Sequence, residues 1–270
     1  MHIESYGRGA DVVILNGVRQ QPQDLEDLVS ALAAARRVHV VHSPGYGREP
    51  ARLGRHDLDA FEDELRLQLR ALAPRGFSVL GVGCGSYRAI RATQRGSWTP
   101  RGIIALGPVP LLVETMRDAW RAVVAALEAE ADVWPRFVAG LFTHDFSASY
   151  PTVPAAYLSQ LRAVSRETVA DELRALMRDR DRSAQLRDVR CPVYMRVGEQ
   201  DAHAPHTLAL RAMKSLPRAR LDVVADVEHL LHHEDREATL RAVLEALQHF
   251  ESEAGRPVPV EACVPRAAAQ

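Results

Sequence analysis

The sequence predicts an α/β fold: a mostly parallel sheet flanked by helices on both faces, with a helical segment inserted after the fifth core strand. Three observations lead there. Short apolar runs alternate with amphipathic helical patterns over residues 1–110. The alternation stops over 111–188, where helical patterns follow one another with no convincing strand. It then resumes over 189–253. The chain has 270 residues, 47% of them apolar, enough to bury a sizeable core.

The elements follow in order. Residues 2–6 suit a short edge strand. Asp11–Asn16 is a continuous apolar run, as expected of a strand buried on both faces, and Gly17 ends it. Leu25, Leu28, Val29 and Leu32 have helical spacing. Residues 37–42 form the next strand, closed by the turn cluster Ser43-Pro-Gly-Tyr-Gly47. Leu58, Phe61, Leu65, Leu69 and Leu72 share one face of a helix over 57–72. Ser78–Val82 is a strand that breaks into Gly81, Gly83 and Gly85 at alternate positions, and a helix follows from about Cys84 to Thr93. Residues 102–106 are a strand stopped by Gly107-Pro108. Helical patterns at 111–131, 154–164 and 167–179 make an insertion of about 75 residues, with boundaries good to a few residues. A strand at 192–197, a helix at 205–216, a strand at 220–224 and a helix at 234–250 complete the pattern, with His232 and His233 opening that last helix. Residues 254–270 carry three prolines and read as a loose tail.

Composition excludes several functions. Net charge is −1, so nothing electrostatic favours nucleic acid. Cys84, Cys191 and Cys263 are far apart and odd in number, which fits a reducing cytoplasm and neither a disulfide framework nor a zinc site. No apolar run approaches a membrane span, and no secretory signal is visible. No metal or cofactor is expected, and the oligomeric state is left open, with a homodimer among the options.

The glycine-rich turn admits two motifs. Gly81-x-Gly83-x-x-Ser86 after a strand approximates a dinucleotide fingerprint, but the acid expected at the next strand end would fall near 105–107, where there is none. The alternative is the strained strand-to-helix turn written G-x-S-x-G, which holds a nucleophile. Gly81 and Gly85 fit its flanks, and Gly83 stands at its centre.

The order of motifs resembles the α/β-hydrolase superfamily, in particular its capped esterases and enol-lactone hydrolases, over roughly residues 8–250. Asn16-Gly17 stands where the family has His-Gly. His42-Ser-Pro-Gly-Tyr-Gly47 is similar to its Asp-x-Pro-Gly-x-Gly turn, with His42 in place of the acid. Gly81-Val-Gly83-Cys84-Gly85-Ser86 resembles the nucleophile elbow. Val197-Gly-Glu-Gln-Asp201 resembles the strand end that delivers the triad acid, and Ala225-Asp-Val-Glu-His229 the loop that carries the histidine. The resemblance implies an α/β-hydrolase fold with a core over 1–110 and 189–253 and a helical cap over 111–188.

It also implies roles. His229 is the general base and Asp201 its orienting carboxylate. Gly83 leaves the nucleophile position vacant. The backbone amides of Val18 and Cys84 form the oxyanion hole. Ser86 is a helix-start hydroxyl, and the Cys84 thiol packs rather than reacts. Asn16, Trp134 and Phe142 are assigned to the substrate pocket, with Trp120, Phe137, Phe146 and Tyr157 as further cap aromatics. Three readings of the chain stand at this point. It is an enzyme in which the His229–Asp201 dyad and oxyanion hole act without a covalent nucleophile on a small ester, lactone or carbonyl substrate, by hydrolysis or by a lyase- or cyclase-type proton transfer. It is a silent protein that binds a small ligand. Or it is a hydrolase with Cys84 as nucleophile.

Overall fold

The computed structural model describes residues 1–54 and 56–253. The expected loose tail at 254–270, with Cys263, lies outside them.

Seven strands form one sheet in the order β1-β3-β2-β4-β5-β6-β7. They are β1 (Ile3–Gly7), β2 (Ala10–Leu15), β3 (Arg36–Val41), β4 (Phe77–Val82), β5 (Ile103–Leu106), β6 (Val193–Gly198) and β7 (Ala219–Val224). All neighbours are parallel except β1, which runs antiparallel to β3 with Ile3 opposite Val41. This is the mostly parallel, helix-covered sheet that the alternation predicts, in the α/β-hydrolase arrangement that the motif resemblance implies.

Parallel strands need crossover helices, and these cover both faces of the sheet. Alternate residues of each strand enter opposite cores. Val13, Leu15, Val79, Ile103 and Met195 pack with Phe61, Leu65 and Leu69 of α2 (Leu58–Leu72) and with Ala89 and Ile90 of α3 (Cys84–Gln94). Val12, Ile14, Leu80 and Ile104 face the other way, against Leu28, Val29 and Leu32 of α1 (Glu26–Ala33) and Val243 and Leu247 of a long C-terminal helix. Helix α2 begins where Asp57 accepts from the Asp59 and Ala60 amides, satisfying two orphan donors.

Between β5 and β6 lie five helices: α4 (Glu114–Glu128), α5 (Trp134–Ala139), α6 (His144–Ser149), α7 (Thr152–Arg162) and α8 (Arg166–Arg178). Trp120, Val124 and Leu127 of α4 pack on Val169, Leu173 and Leu176 of α8. Helices α5 and α6 span six residues each. That is under two turns, too short to show a helical period. After β6 come α9 (His206–Met213), β7, α10 (Leu231–Glu234) and α11 (Arg236–Glu253). His232 and His233 therefore belong to the separate short helix α10 and do not open α11. Asp235 breaks the helix between them, with φ −126° and ψ 51°, outside the helical range.

Candidate active site

The site lies at the C-terminal ends of β2, β4, β5 and β6, where loops leave a parallel sheet and ligands bind in such folds. At the end of β4, Gly83 has φ +50° and ψ −123° and caps α3. A side chain is strained there, and the flanking glycines are required by close approach. A Cβ at Gly81 would stand 2.5 Å from the Ser86 nitrogen, and one at Gly85 would stand 2.1 Å from the Leu15 oxygen. Ser86 fastens the turn: its hydroxyl donates to the Gly83 carbonyl at 2.6 Å and accepts from the Val109 amide at 3.0 Å. With both bonds made and the side chain buried, Ser86 has a structural task at the helix start.

His229 lies in the loop between β7 and α10, and Asp201 just beyond β6. His229 Nδ1 is 2.7 Å from Asp201 Oδ2. The carboxylate's other oxygen accepts from the His203 and Ala204 amides at 2.9 and 2.7 Å. An ionised carboxylate only accepts, so Nδ1 carries the proton and Nε2 is left as the basic nitrogen. Burial works to lower the imidazole pKa, but the charge and hydrogen bond of Asp201 outweigh it and raise it above 6.5. Burial likewise opposes ionisation of Asp201, and His229 with the two amides holds its carboxyl below the usual range. Gly107 clears room for the ring: a Cβ there would stand 2.9 Å from His229 Cε1.

Nε2 faces the turn. A Cβ added at Gly83 would lie 3.3 Å from it. The space between opens into a cavity of about 60 Å³ whose lining includes Val18, Gly83, Cys84 and His229. That is room for water, which needs at least about 10–15 Å³. The Cys84 backbone N–H has no oxygen acceptor among the described residues, while the Val18 N–H is directed at the Cys84 sulfur. The Cys84 thiol is buried. Burial, reinforced by the Glu172 charge, pushes it up to about 12. A cysteine nucleophile acts as thiolate, so this thiol is unsuited to the nucleophilic role that one of the three readings gives it.

Three residues assigned to the pocket from sequence do not line this cavity. Asn16 is a loop fastener: Nδ2 donates to the Gln20 carbonyl at 2.5 Å, and Oδ1 accepts from Ser43 at 3.2 Å. Trp134 is buried in the apolar cluster between α4 and α8. Phe142 stacks on Phe146 with centroids 5.5 Å apart and meets the edge of Tyr157. Asn16 is spent on its own loop, and the two aromatics pack among the inserted helices, which local spacing does not distinguish from a pocket. The aromatics that reach the cavity are Trp120, Phe137 and Tyr157.

Two lining residues have no sequence signal of their own, Arg19 and His203. Burial, with His229 adding to it, lowers His203 to about 4, so it is neutral at ordinary pH. His42, standing where the resembling turn has an acid, is also structural. Its Nδ1 accepts from the Arg48 amide at 2.9 Å.

Comparison with known proteins bears on the family and the fold. The sequence model of the Alpha/beta hydrolase family matches residues 12–242. The chain is 30% identical over 252 residues to the polyketide synthase ThaQ of Burkholderia thailandensis, covering 88% of this chain but 12% of that protein's length. It is 29% identical to a pimeloyl-[acyl-carrier protein] methyl ester esterase of Aromatoleum aromaticum, covering 83% of this chain and 94% of the esterase. Among solved structures, a thermophilic esterase from Thermogutta terrifontis superposes with a TM-score of 0.83 at 20% identity, over 92% of this chain and 93% of that one. The enol-lactonase from Burkholderia xenovorans superposes at 0.81 and 16% identity, over 92% and 96%. At these identities the structural likeness establishes the fold alone. No helix among the described residues is long and apolar enough to cross a membrane.

Proposed function

This chain belongs to the alpha/beta hydrolase family, and we propose that within it the chain is an ester hydrolase that works without a covalent intermediate. In this reading Gly83 occupies the position of the family's nucleophile, and water takes its part. The observation that carries it is the direction of His229 Nε2. It faces the turn from 3.3 Å beyond where a Cβ would begin, and a cavity with room for water lies there.

The chemistry is a single displacement. His229 Nε2 accepts a proton from water as the water oxygen bonds to the acyl carbon. The carbonyl electron pair moves onto its oxygen, where the Val18 and Cys84 amides stabilise it. Collapse breaks the bond to the alkoxy group. His229 returns the proton to the leaving oxygen, giving an acid and an alcohol. Asp201 holds the tautomer and balances the imidazolium charge. The esterase names of the sequence relatives support esters as the first substrate class to test.

A panel of small methyl esters tests the reading. His229→Ala should reduce turnover by about 100- to 10,000-fold, the usual contribution of a general base. Intact-mass analysis of the wild-type protein during turnover should show no acyl adduct, whereas Gly83→Ser should accumulate one. An acyl adduct on the wild-type chain would overturn direct water attack. Wild-type turnover unchanged by His229→Ala would overturn the role of the histidine. Wild-type protein inert on the whole panel would favour a silent binding protein.

A further inference from the structure

Five arginines are buried among the described residues: Arg19, Arg88, Arg91, Arg117 and Arg196. Four have partners suited to a guanidinium. Arg88 pairs with Glu172, Arg91 with Glu62 and Asp179, and Arg196 with Asp222 and Asp235, while Arg117 donates to the Met177 and Asp179 carbonyls. Arg19 is the exception. It is 7% exposed, and its Nε and Nη1 are buried with no hydrogen-bond partner. A buried charge without a partner is costly and marks a place where something else supplies one.

Its position says where the partner would come from. Arg19 follows Val18 directly and lines the same cavity as Gly83 and His229. Its backbone is held at φ +71°, a left-handed conformation unusual for a side chain of this size. The Arg19 amide donates to the Tyr46 hydroxyl at 3.0 Å, and that hydroxyl donates to Glu172 at 2.5 Å. The guanidinium carbon rests 3.5 Å from the centroid of the Phe137 ring, so the planar fork is fixed at its face and its edge N–H groups stay unspent. Glu172, the acid whose charge reaches Arg19, accepts from Arg88 and Tyr46, and Asp201 is committed to His229 and two amides. His203, also on the cavity wall, is neutral and its Nε2 has no partner.

We propose that Arg19 is a carboxylate-binding subsite, so that the substrate carries an anionic carboxylate a short chain away from the carbon that reacts. The inference rests on the ester-hydrolase reading for what happens at that carbon, but not for the binding itself. A carboxylate matches the guanidinium edge in two parallel hydrogen bonds, and the small cavity limits the chain between the two groups to a few carbons. Recognition of this kind separates a half-ester of a dicarboxylic acid from the corresponding diester.

Two measurements test it. In binding, succinamate and glutaramate are compared with the uncharged succinamide and glutaramide by titration calorimetry, with inorganic phosphate as competitor. At least one of the anionic probes should bind wild type and His229→Ala about 10- to 100-fold more tightly than its neutral counterpart, the range expected for a charge-assisted bond. Arg19→Met should lose that preference and Arg19→Lys should keep part of it. In turnover, monomethyl succinate and glutarate should exceed the dimethyl esters in kcat/KM on wild type, and Arg19→Met should erase the ratio. A folded Arg19→Met protein that retains the preference would overturn the subsite. Phosphate competing as strongly as the carboxylates would overturn its assignment to a carboxylate. If Arg19→Met does not fold, the wild-type comparison of charged with neutral probes decides, and no preference there sinks the proposal. Arg19-dependent binding without hydrolysis of any ester would sink the hydrolase reading and keep the subsite. Hydrolysis that ignores charge would do the reverse.

Discussion

At the scale of the residue, the site turns on one imidazole and the carboxylate behind it. His229 acts as a base only when neutral. Its pKa is the outcome of burial pushing down and Asp201 pushing up, with Asp201 prevailing above 6.5. Activity should therefore rise with pH through a value above 6.5 and level off beyond it. Asp201→Asn removes the charge and leaves the burial, so the acid limb of the kcat/KM profile should move to lower pH. The plateau should fall by about 100- to 10,000-fold, because the ring loses its tautomer and its counter-charge. A profile that stays in place in the variant would show that Asp201 does not set the ionisation of His229. The neighbouring thiol takes no part in this range, since Cys84 ionises only near about 12.

At the scale of the element, helix α8 is locked to the core by charge as well as by apolar packing. Arg88 of α3 pairs with Glu172 of α8, and both side chains are essentially inaccessible to water. Arg88 Nη1 also donates to Ser43 at 2.9 Å, and Tyr46 donates to the second Glu172 oxygen. The helix that starts at the elbow is thus tied to the inserted helices and to the turn after β3. Glu172→Gln leaves Arg88 buried without a counter-charge. It should cost about 3–5 kcal/mol in urea unfolding. The double variant Arg88→Met with Glu172→Leu should recover most of that loss. Equal losses for the single and the double variant would show that the network adds nothing beyond packing.

At the scale of the whole molecule, the groups proposed to react come from the core, and the insertion supplies part of the cavity wall. Trp120 of α4, Phe137 of α5 and Tyr157 of α7 reach the cavity, and Leu230, next to His229, donates its amide to the Leu141 carbonyl at 3.3 Å. A cavity of about 60 Å³ suits a short acyl chain. Methyl butyrate should outpace methyl octanoate in kcat/KM by at least about 10-fold, the discrimination a snug apolar pocket gives per excess methylene. Tyr157→Ala should narrow that ratio while costing stability by about 3–5 kcal/mol for a buried aromatic. A ratio that does not move in the folded variant would show that Tyr157 does not bound the acyl chain.

How much of this was legible in the residues depends on the range of the interaction that decides each feature. Strand and helix alternation is a local pattern repeated many times, and it specifies a mostly parallel sheet covered by helices, while the α/β-hydrolase arrangement rests on the order of the motifs. The short helices α5, α6 and α10 escaped because four to six residues cannot display a 3.6-residue period. His229 and Asp201 could be named because each follows a recognisable strand end, but their 2.7 Å contact is a product of β6 and β7 lying side by side. Trp134 and Phe142 lie away from the cavity, because an aromatic in or beside a short helix carries no local sign of whether it faces a cavity or another helix. Arg19 had no signal at all among thirty-four basic residues. What singles it out is burial without a partner, a property of everything folded around it. The order of the elements and the glycines that make the turn at Gly83 can be read along the chain. Which side chains share that cavity follows from folding, because their contacts join residues far apart in the chain.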